Sequence, residues 1–338
     1  MEFRTEVAVD DFPFSLGYAT PTLFCGSCFT ENIGGIMRTL KMPVLVNPFG
    51  VVYNPLSVAQ VLQRSVAGKI YNADELQFRD GLWFSFDFHS RFASPNRNAC
   101  IALLNEAVSS AKDFISTTQC IVVTFGTARV YKLKGSGEVV SNCHKVPAVE
   151  FENKLLAVDE VVEIWSNLIS MLLGLNPSLK LVLTVSPIRH WKDGAPGNQL
   201  SKSTLIVAVH RLVEMYSDNV FYFPSYELMM DDLRDYRFYD DDMLHPSPKA
   251  IEYIWSKFSR VLIDDDSMKL AAQIQKIIQA AGHRPFNTDT PEHKRFVDKI
   301  LKSIQDIKLI HPSINFEREI AILKGEQYSR LRFHAQQP

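Results

Sequence analysis

Apolar positions along the 338-residue chain fall into two patterns. One is a set of short, nearly continuous apolar runs bounded by turn residues: TLFCG (22–26), PVLVN (43–47), CIVVTFG (120–126), LKLVLTVSP (179–187) and NVFYFPS (219–225). Three are rich in β-branched residues and most show no alternation, which predicts strands buried on both faces, as in a parallel sheet. The other pattern has apolar residues at helical spacing and fills the gaps, at 54–66, 99–116, 159–176 and 199–218. Pro55 suits a first helical position, and Gly174 with the Asn-Pro at 176–177 ends the third helix. Strands and helices in alternation predict a doubly wound α/β layer over residues 1–264.

After about Asp264 the pattern changes. SMKLAAQIQKIIQAAG, HKRFVDKILKSIQDI and NFEREIAILKGEQYSRLRF read as helices with charges scattered through them, broken by the turn-rich stretch 283–293. Residues 265–338 are therefore expected to form a helical extension, packed on the sheet domain or used in assembly. It carries no clear chemical motif. The chain has no internal repeat and no low-complexity segment.

Composition adds limits. With 46% hydrophobic and 22% charged residues there is material for one large core or two modest ones. A net charge of −2 implies no strong attraction to nucleic acid or anionic membrane. From Ser267 onward there are 12 Lys/Arg against 7 Asp/Glu, so this tail is +5 and the rest −7, a difference that a solvated helical surface accounts for. Five scattered cysteines do not form a disulfide framework. The start, MEFRTEVAVDDF, lacks the features of a signal peptide, and no 18-residue apolar run predicts a membrane span. The expected setting is reduced and cytoplasmic, although a chain trimmed of a leader would read the same.

Two places could carry chemistry. Ser27 sits where an apolar strand gives way to a helix, at the sheet edge where open α/β folds bind ligands and near the favourable field of a helix N-terminus. Cys25-Gly-Ser-Cys28 is a CxxC in the βαβ context a redox motif needs, but Cys143 and His144 form no second ligand pair, and neither a redox nor a metal site is the main expectation. Cys25 reads as a small core hydrophobe, and Cys28 is a second possible nucleophile if the helix lowers its pKa. In YDDDMLHPSPKAIEYIWSKF (239–258), Ser247 and Pro248 predict a helix start. His245 lies just before it, three residues after Asp242. That spacing lets the carboxylate reach Nδ1–H and leaves Nε2 as a base. A capping histidine beside a solvated acidic run is the other reading. Further loops place His89, Asn142, His144, Arg189 and His190 in apolar surroundings, either as pocket residues or as satisfied surface groups.

Taken together, GSCFT, NPFGVVYNP, TFGTARVY, NCHKVP, TVSPIRH, LSKSTL, the run from YFPSYELMM to DDDMLHPS, and HRPF closely resemble the GSCFA domain family. The resemblance covers roughly Phe24 to His283, with Thr30 where the family's name has Ala. The family in turn looks like a branch of the SGNH, or GDSL-like, hydrolases. This implies a flavodoxin-like three-layer α/β/α fold with a central, mostly parallel sheet. It also implies a nucleophile at Ser27 with Asp242 and His245 completing a triad. The resemblance further implies oxyanion donors at the N–H groups of Ser27 and Gly50. The Gly-x-Asn expected after the central strand is absent: the run is Gly126-Thr127-Ala128. Asn54, Thr127 or Asn142 then stand as substitutes, and Cys28, His89, His144, Arg189 and His190 as pocket residues.

The implied activity is serine-dependent ester hydrolysis, on a small molecule or an O-acyl group of a carbohydrate, with neither cofactor nor metal. Two other readings stay open: an O-acyltransferase using the same triad, and a non-catalytic binding or assembly module that keeps the fold. Oligomeric state is not legible.

Overall fold

The computed structural model describes residues 5–283 and 290–325. The first strand, β1 (Thr22–Gly26), leads straight into α1 (Cys28–Thr39), β2 (Val44–Val46) and α2 (Pro55–Ala67). A short hairpin, β3 (Gln77–Arg79) with β4 (Leu82–Phe84), precedes α3 (Arg97–Thr117) and β5 (Cys120–Phe125). Then come β6 (Arg129–Leu133), β7 (Val139–Val140) and β8 (Phe151–Leu155), followed by α4 (Val158–Leu175), β9 (Lys180–Val185), α5 (Gly194–Met215) and β10 (Val220–Tyr222). A single turn, α6 (Ser225–Glu227), runs into a π-turn at Leu228–Asp232, and α7 (Pro248–Leu262) follows.

The main sheet has the order β10-β9-β5-β1-β2 and every pairing in it is parallel. Read from the other edge, this is the 2-1-3-4-5 order of flavodoxin-like sheets. Alternate residues of each strand serve opposite faces. Leu23, Ile121, Val123, Leu181 and Leu183 enter a core built from α2, α3, α4 and α5. On the other face Phe24 meets Phe258 of α7, and Val46 and Phe24 crowd Gly34 of α1. The result is three layers, and burial on both faces explains the lack of alternation in the strand sequences. Trp165 of α4 is fully buried, edge-on to Phe125, with its indole N–H donating to Pro55 O at 3.1 Å. Truncating such a side chain to Ala costs about 3–5 kcal/mol.

All five strand expectations hold to within two or three residues, as do the helix starts at Pro55 and Pro248, capped by Asn54 and Ser247. The antiparallel sheet β7-β6-β8 and the β3–β4 hairpin were not anticipated. Their strands are short and mostly half-exposed, so they lack a continuous apolar run.

The chain divides into two compact units. One runs through Arg38 and from Pro43 to Ile263; the other holds Thr39–Met42 and the chain from Asp264. The second unit contains α8 (Asp265–Gly282), α9 (Pro291–Ile310) and α10 (Glu317–Leu323). Within it Lys41 pairs with the buried Glu319 at 3.0 Å and lies over the Phe316 ring. The turn-rich residues 284–289, with the end of the HRPF match, and the expected helical run through 326–338 lie outside the described residues. Among the described residues, no helix is long and apolar enough to cross a membrane.

Candidate active site at the carboxyl edge of the sheet

Ser27 is the residue between β1 and α1. Gly26 before it has φ +136°, a conformation L side chains rarely adopt, and an added Cβ would stand 2.3 Å from Thr124 O. The glycine lets β1 lie close against β5 while the chain turns into the helix. Ser27 N–H then donates to Thr124 O at 3.1 Å, and Ser27 O accepts from Thr30 N–H at 3.0 Å. Its hydroxyl oxygen accepts from Phe29 N–H at 3.3 Å, in the first turn of α1. Asn47 braces the turn from the β2 side. It is fully buried, accepts from Gly26 N–H at 2.9 Å through Oδ1, and donates to Glu31 Oε2 at 2.9 Å.

The two cysteines flanking Ser27 behave differently from a reactive pair. Cys25 points into the core, where burial pushes its thiol up to about 12. Burial also raises the thiol of Cys28, which outweighs the lowering effect of its own backbone N–H. The helix start therefore does not make Cys28 a thiolate.

Asp242 and His245 form a pair on the loop before α7. Asp242 Oδ2 lies 2.5 Å from His245 Nδ1, while Oδ1 accepts from the N–H groups of Leu244 (2.8 Å) and His245 (2.9 Å). Met243 takes φ +58° to close this small ring. The backbone N–H of His245 first, then its ring, then the N–H of Leu244 hold the carboxyl of Asp242 down to about 2. The loop is pinned at both ends, by Asp240 N–H to His245 O (2.8 Å) and Ser247 N–H to Phe238 O (2.8 Å). Both side chains remain nearly half exposed. His245 Nε2 has no hydrogen-bond partner among the described residues, and no hydrogen bond joins it to Ser27 Oγ.

The other expected residues divide. Gly50, at φ +78°, sits directly against His89, and its N–H is engaged by Asn47 O at 2.9 Å. Asn54 caps α2, with its amide on Ser57. Thr127 Oγ1 bonds Ser201 Oγ at 2.8 Å. Asn142 Oδ1 accepts from His144 N–H, and the His144 ring is committed to the carbonyls of Ser85 and Phe88, stacked on Phe84. Through the atoms named, these groups build loops. His89 Nδ1 accepts from Arg91 N–H at 3.3 Å, and burial lowers its basicity. Arg189 lies over the rings of Trp191 and Tyr239, beside the Asp242 loop. His190 is partly buried against Tyr53 and Gly126.

Sequence reasoning missed Lys202. It is fully buried on α5, and its ammonium donates to Gly126 O at 2.6 Å and Ser186 O at 2.7 Å, the first residues beyond β5 and β9. Burial pushes it down to about 7. Its neighbour Ser201 accepts from Ala128 N–H at 2.7 Å, so α5 clamps the whole Gly126–Ala128 turn. The signal was present: Asn198, Ser201, Lys202, Leu205, Val209 and Leu212 share one helical stripe, and a lysine there is on the inward face. Among the described residues, no group of three or more His, Cys, Asp or Glu could hold a metal ion.

Fold and site together define an α/β protein of flavodoxin-like order, with a serine turn after its first strand and an Asp–His pair before the last helix of the sheet unit. The chain belongs to the GSCFA family, which matches residues 21–258, and the C-terminal domain of GSCFA domain proteins matches residues 274–326. No curated protein matches it. Among solved structures it is similar to a carbohydrate esterase family 3 protein from Talaromyces cellulolyticus, with 9% identity and a TM-score of 0.34, over 76% of this chain and 99% of that one.

Proposed function

We propose that the protein is a serine esterase in which Ser27, His245 and Asp242 act as nucleophile, base and orienting carboxylate. The observation that carries this is the Asp242–His245 pair, closed at 2.5 Å on Nδ1 with Nε2 unengaged, in a chain whose Ser27 stands at the sheet's carboxyl edge. An ionised Asp242 selects the tautomer that leaves Nε2 as an acceptor. Ser27 Oγ bonds to the ester carbonyl carbon and gives its proton to Nε2. The carbonyl π pair moves onto oxygen. Collapse breaks the bond to the alkoxy group, which leaves with the proton from His245. Water then repeats the sequence on the acyl-enzyme and releases the acid. No hydrogen bond joins Ser27 Oγ to His245 Nε2, and catalytic contacts of this kind tighten on substrate binding.

Exposure of Asp242 and His245 favours hydrolysis over acyl transfer, because water reaches the base freely. A carbohydrate ester is the substrate class we infer. Trp191, half exposed, and Tyr236, more so, present flat apolar faces near Arg189 and Tyr239 on which a sugar ring can lie.

The test is turnover of p-nitrophenyl esters and O-acetylated sugars, with fluorophosphonate labelling mapped by peptide. Label on Ser27 and loss of turnover in Ser27→Ala are expected. A wild-type chain that neither turns over these esters nor takes label would count against an enzyme and for a binding module.

A further inference from the structure

Attack by Ser27 turns an ester carbonyl oxygen into an anion, and an esterase must offer that oxygen donors fixed in advance. The two backbone donors that the resemblance implies are engaged: Ser27 N–H with Thr124 O and Gly50 N–H with Asn47 O. One N–H of the Asn54 amide goes to Ser57 Oγ, and the Thr127 hydroxyl pairs with Ser201 Oγ. We propose that His190 is the donor, its ring N–H receiving the oxyanion that forms on attack by Ser27. This inference rests on the esterase reading and adds to it a residue that neither the triad nor the family match assigns.

A methyl group added to Gly126 would stand 3.1 Å from His190 Nε2 and 2.9 Å from Tyr53 Cβ, so the imidazole lies against the first residue beyond β5. β5 pairs with β1, Gly26 opposite Thr124. Neighbouring strands are about 4.8 Å apart, which puts the ring one strand over from the serine turn.

Neither ring nitrogen of His190 has a hydrogen-bond partner among the described residues, and neither is a sealed, unsatisfied atom. Burial, then Lys202, then His245 push the imidazole down to about 4, so it is neutral near pH 7. A neutral imidazole carries one N–H and does not compete with His245 for the serine proton. Neutral histidine in this role is a known solution to polarising a carbonyl.

His190 N–H donates to the buried Asn198 Oδ1 at 2.9 Å, and its ring tilts on Tyr53 with centroids 5.4 Å apart. The floor beneath it, Gly126, is held by Lys202. A donor on such a frame needs no reorganisation when charge develops.

The experiment measures kcat and KM of the full chain on p-nitrophenyl acetate, and inhibition by phenylboronic acid, which forms a tetrahedral anionic adduct on a serine. His190→Ala is expected to lower kcat roughly 100- to 1,000-fold with KM little changed, and phenylboronic acid affinity should fall in step. His190→Gln, which restores an N–H, should recover at least about tenfold of that loss. If His190→Ala keeps kcat within about threefold of wild type while Ser27→Ala is inactive, the inference fails and the esterase reading stands. If the alanine variant is unstable, the glutamine variant and the boronate decide: a kcat loss without loss of boronate affinity overturns the proposal. No wild-type turnover and no label on Ser27 would instead remove the esterase reading, and this inference with it.

Discussion

Lys202 Nζ lies 2.6 Å from the carbonyl oxygen of Gly126, fully buried and without a salt bridge among the described residues. The same ammonium binds Ser186 O, so the ends of the two central strands are tied to one charge. A buried cation with no anion beside it is expensive, and carbonyl dipoles offset only part of the penalty. That charge backs the turn that carries Gly126 and Thr127.

Its depressed basicity makes stability depend on pH. Below about 7 Lys202 is protonated in both states. Above that the folded state releases the proton while the unfolded state holds it up to 10.5, so stability rises with pH across this window. The contribution is complete above the unfolded value and is lost as pH falls through the folded one. Urea unfolding of wild type between pH 7 and 9.5 should show a slope of up to about 1.4 kcal/mol per pH unit from this group. Lys202→Met should flatten it, and an unchanged slope would assign the titration elsewhere.

Among the described residues Asp242 bonds only within its own loop, to His245 and to Leu244 N–H, and both Asp242 and His245 are exposed. Asp242→Asn should lower kcat roughly 100- to 10,000-fold, since the amide favours the wrong tautomer, and leave the melting temperature nearly unmoved. With its carboxyl held near 2, wild-type Asp242 contributes no acidic limb to the rate profile at pH 4 or above. A large drop in melting temperature for the Asn variant would reveal a structural pair instead.

Cys28 has a raised thiol and offers little thiolate at neutral pH. Iodoacetamide at pH 7 should leave it largely unmodified in the folded chain. Cys28→Ala should still take a fluorophosphonate on Ser27. Label that disappears in this variant would move the nucleophile to the cysteine.

Gly126 has no room for a side chain. Gly126→Ala would push on Tyr53 Cβ and His190 Nε2 together. We expect a loss of about 1–3 kcal/mol in stability from overpacking. Calorimetry of this variant beside His190→Ala would separate crowding from loss of the donor.

Much of the fold was legible because burial on two faces writes itself as uninterrupted Val, Ile and Leu, as in CIVVTFG and LKLVLTV. The Asp242–His245 pair was legible because its contact is local, three residues apart along one turn. Ser27 was legible as the break between an apolar run and a helix start. What stayed hidden depends on contacts across the sheet. Whether Ser27 N–H is free is decided by Thr124 O on the neighbouring strand, and no spacing shows that; Gly50 N–H is taken locally, by Asn47 O within its own turn. Lys202 was hidden by its own chemistry, since a lysine in a charged helix reads as solvent-facing unless its stripe is counted. His144 looked like a pocket residue until Ser85 and Phe88 supplied its acceptors.

The stretch around Ser27 holds three glycines with different tolerances. Gly26 has backbone atoms of Thr124 where a side chain would go, and nothing nearby can yield. Gly34 meets Val46 and Phe24 side chains at about the same depth, where α1 presses on the sheet. Gly35, one residue on, faces open space, and alanine there would firm the helix by roughly 0.5–1 kcal/mol. In a library varied at every position, two of these glycines would read as invariant and the third as free. That contrast, visible in surviving clones alone, would report how tightly the serine turn is drawn against its neighbouring strand.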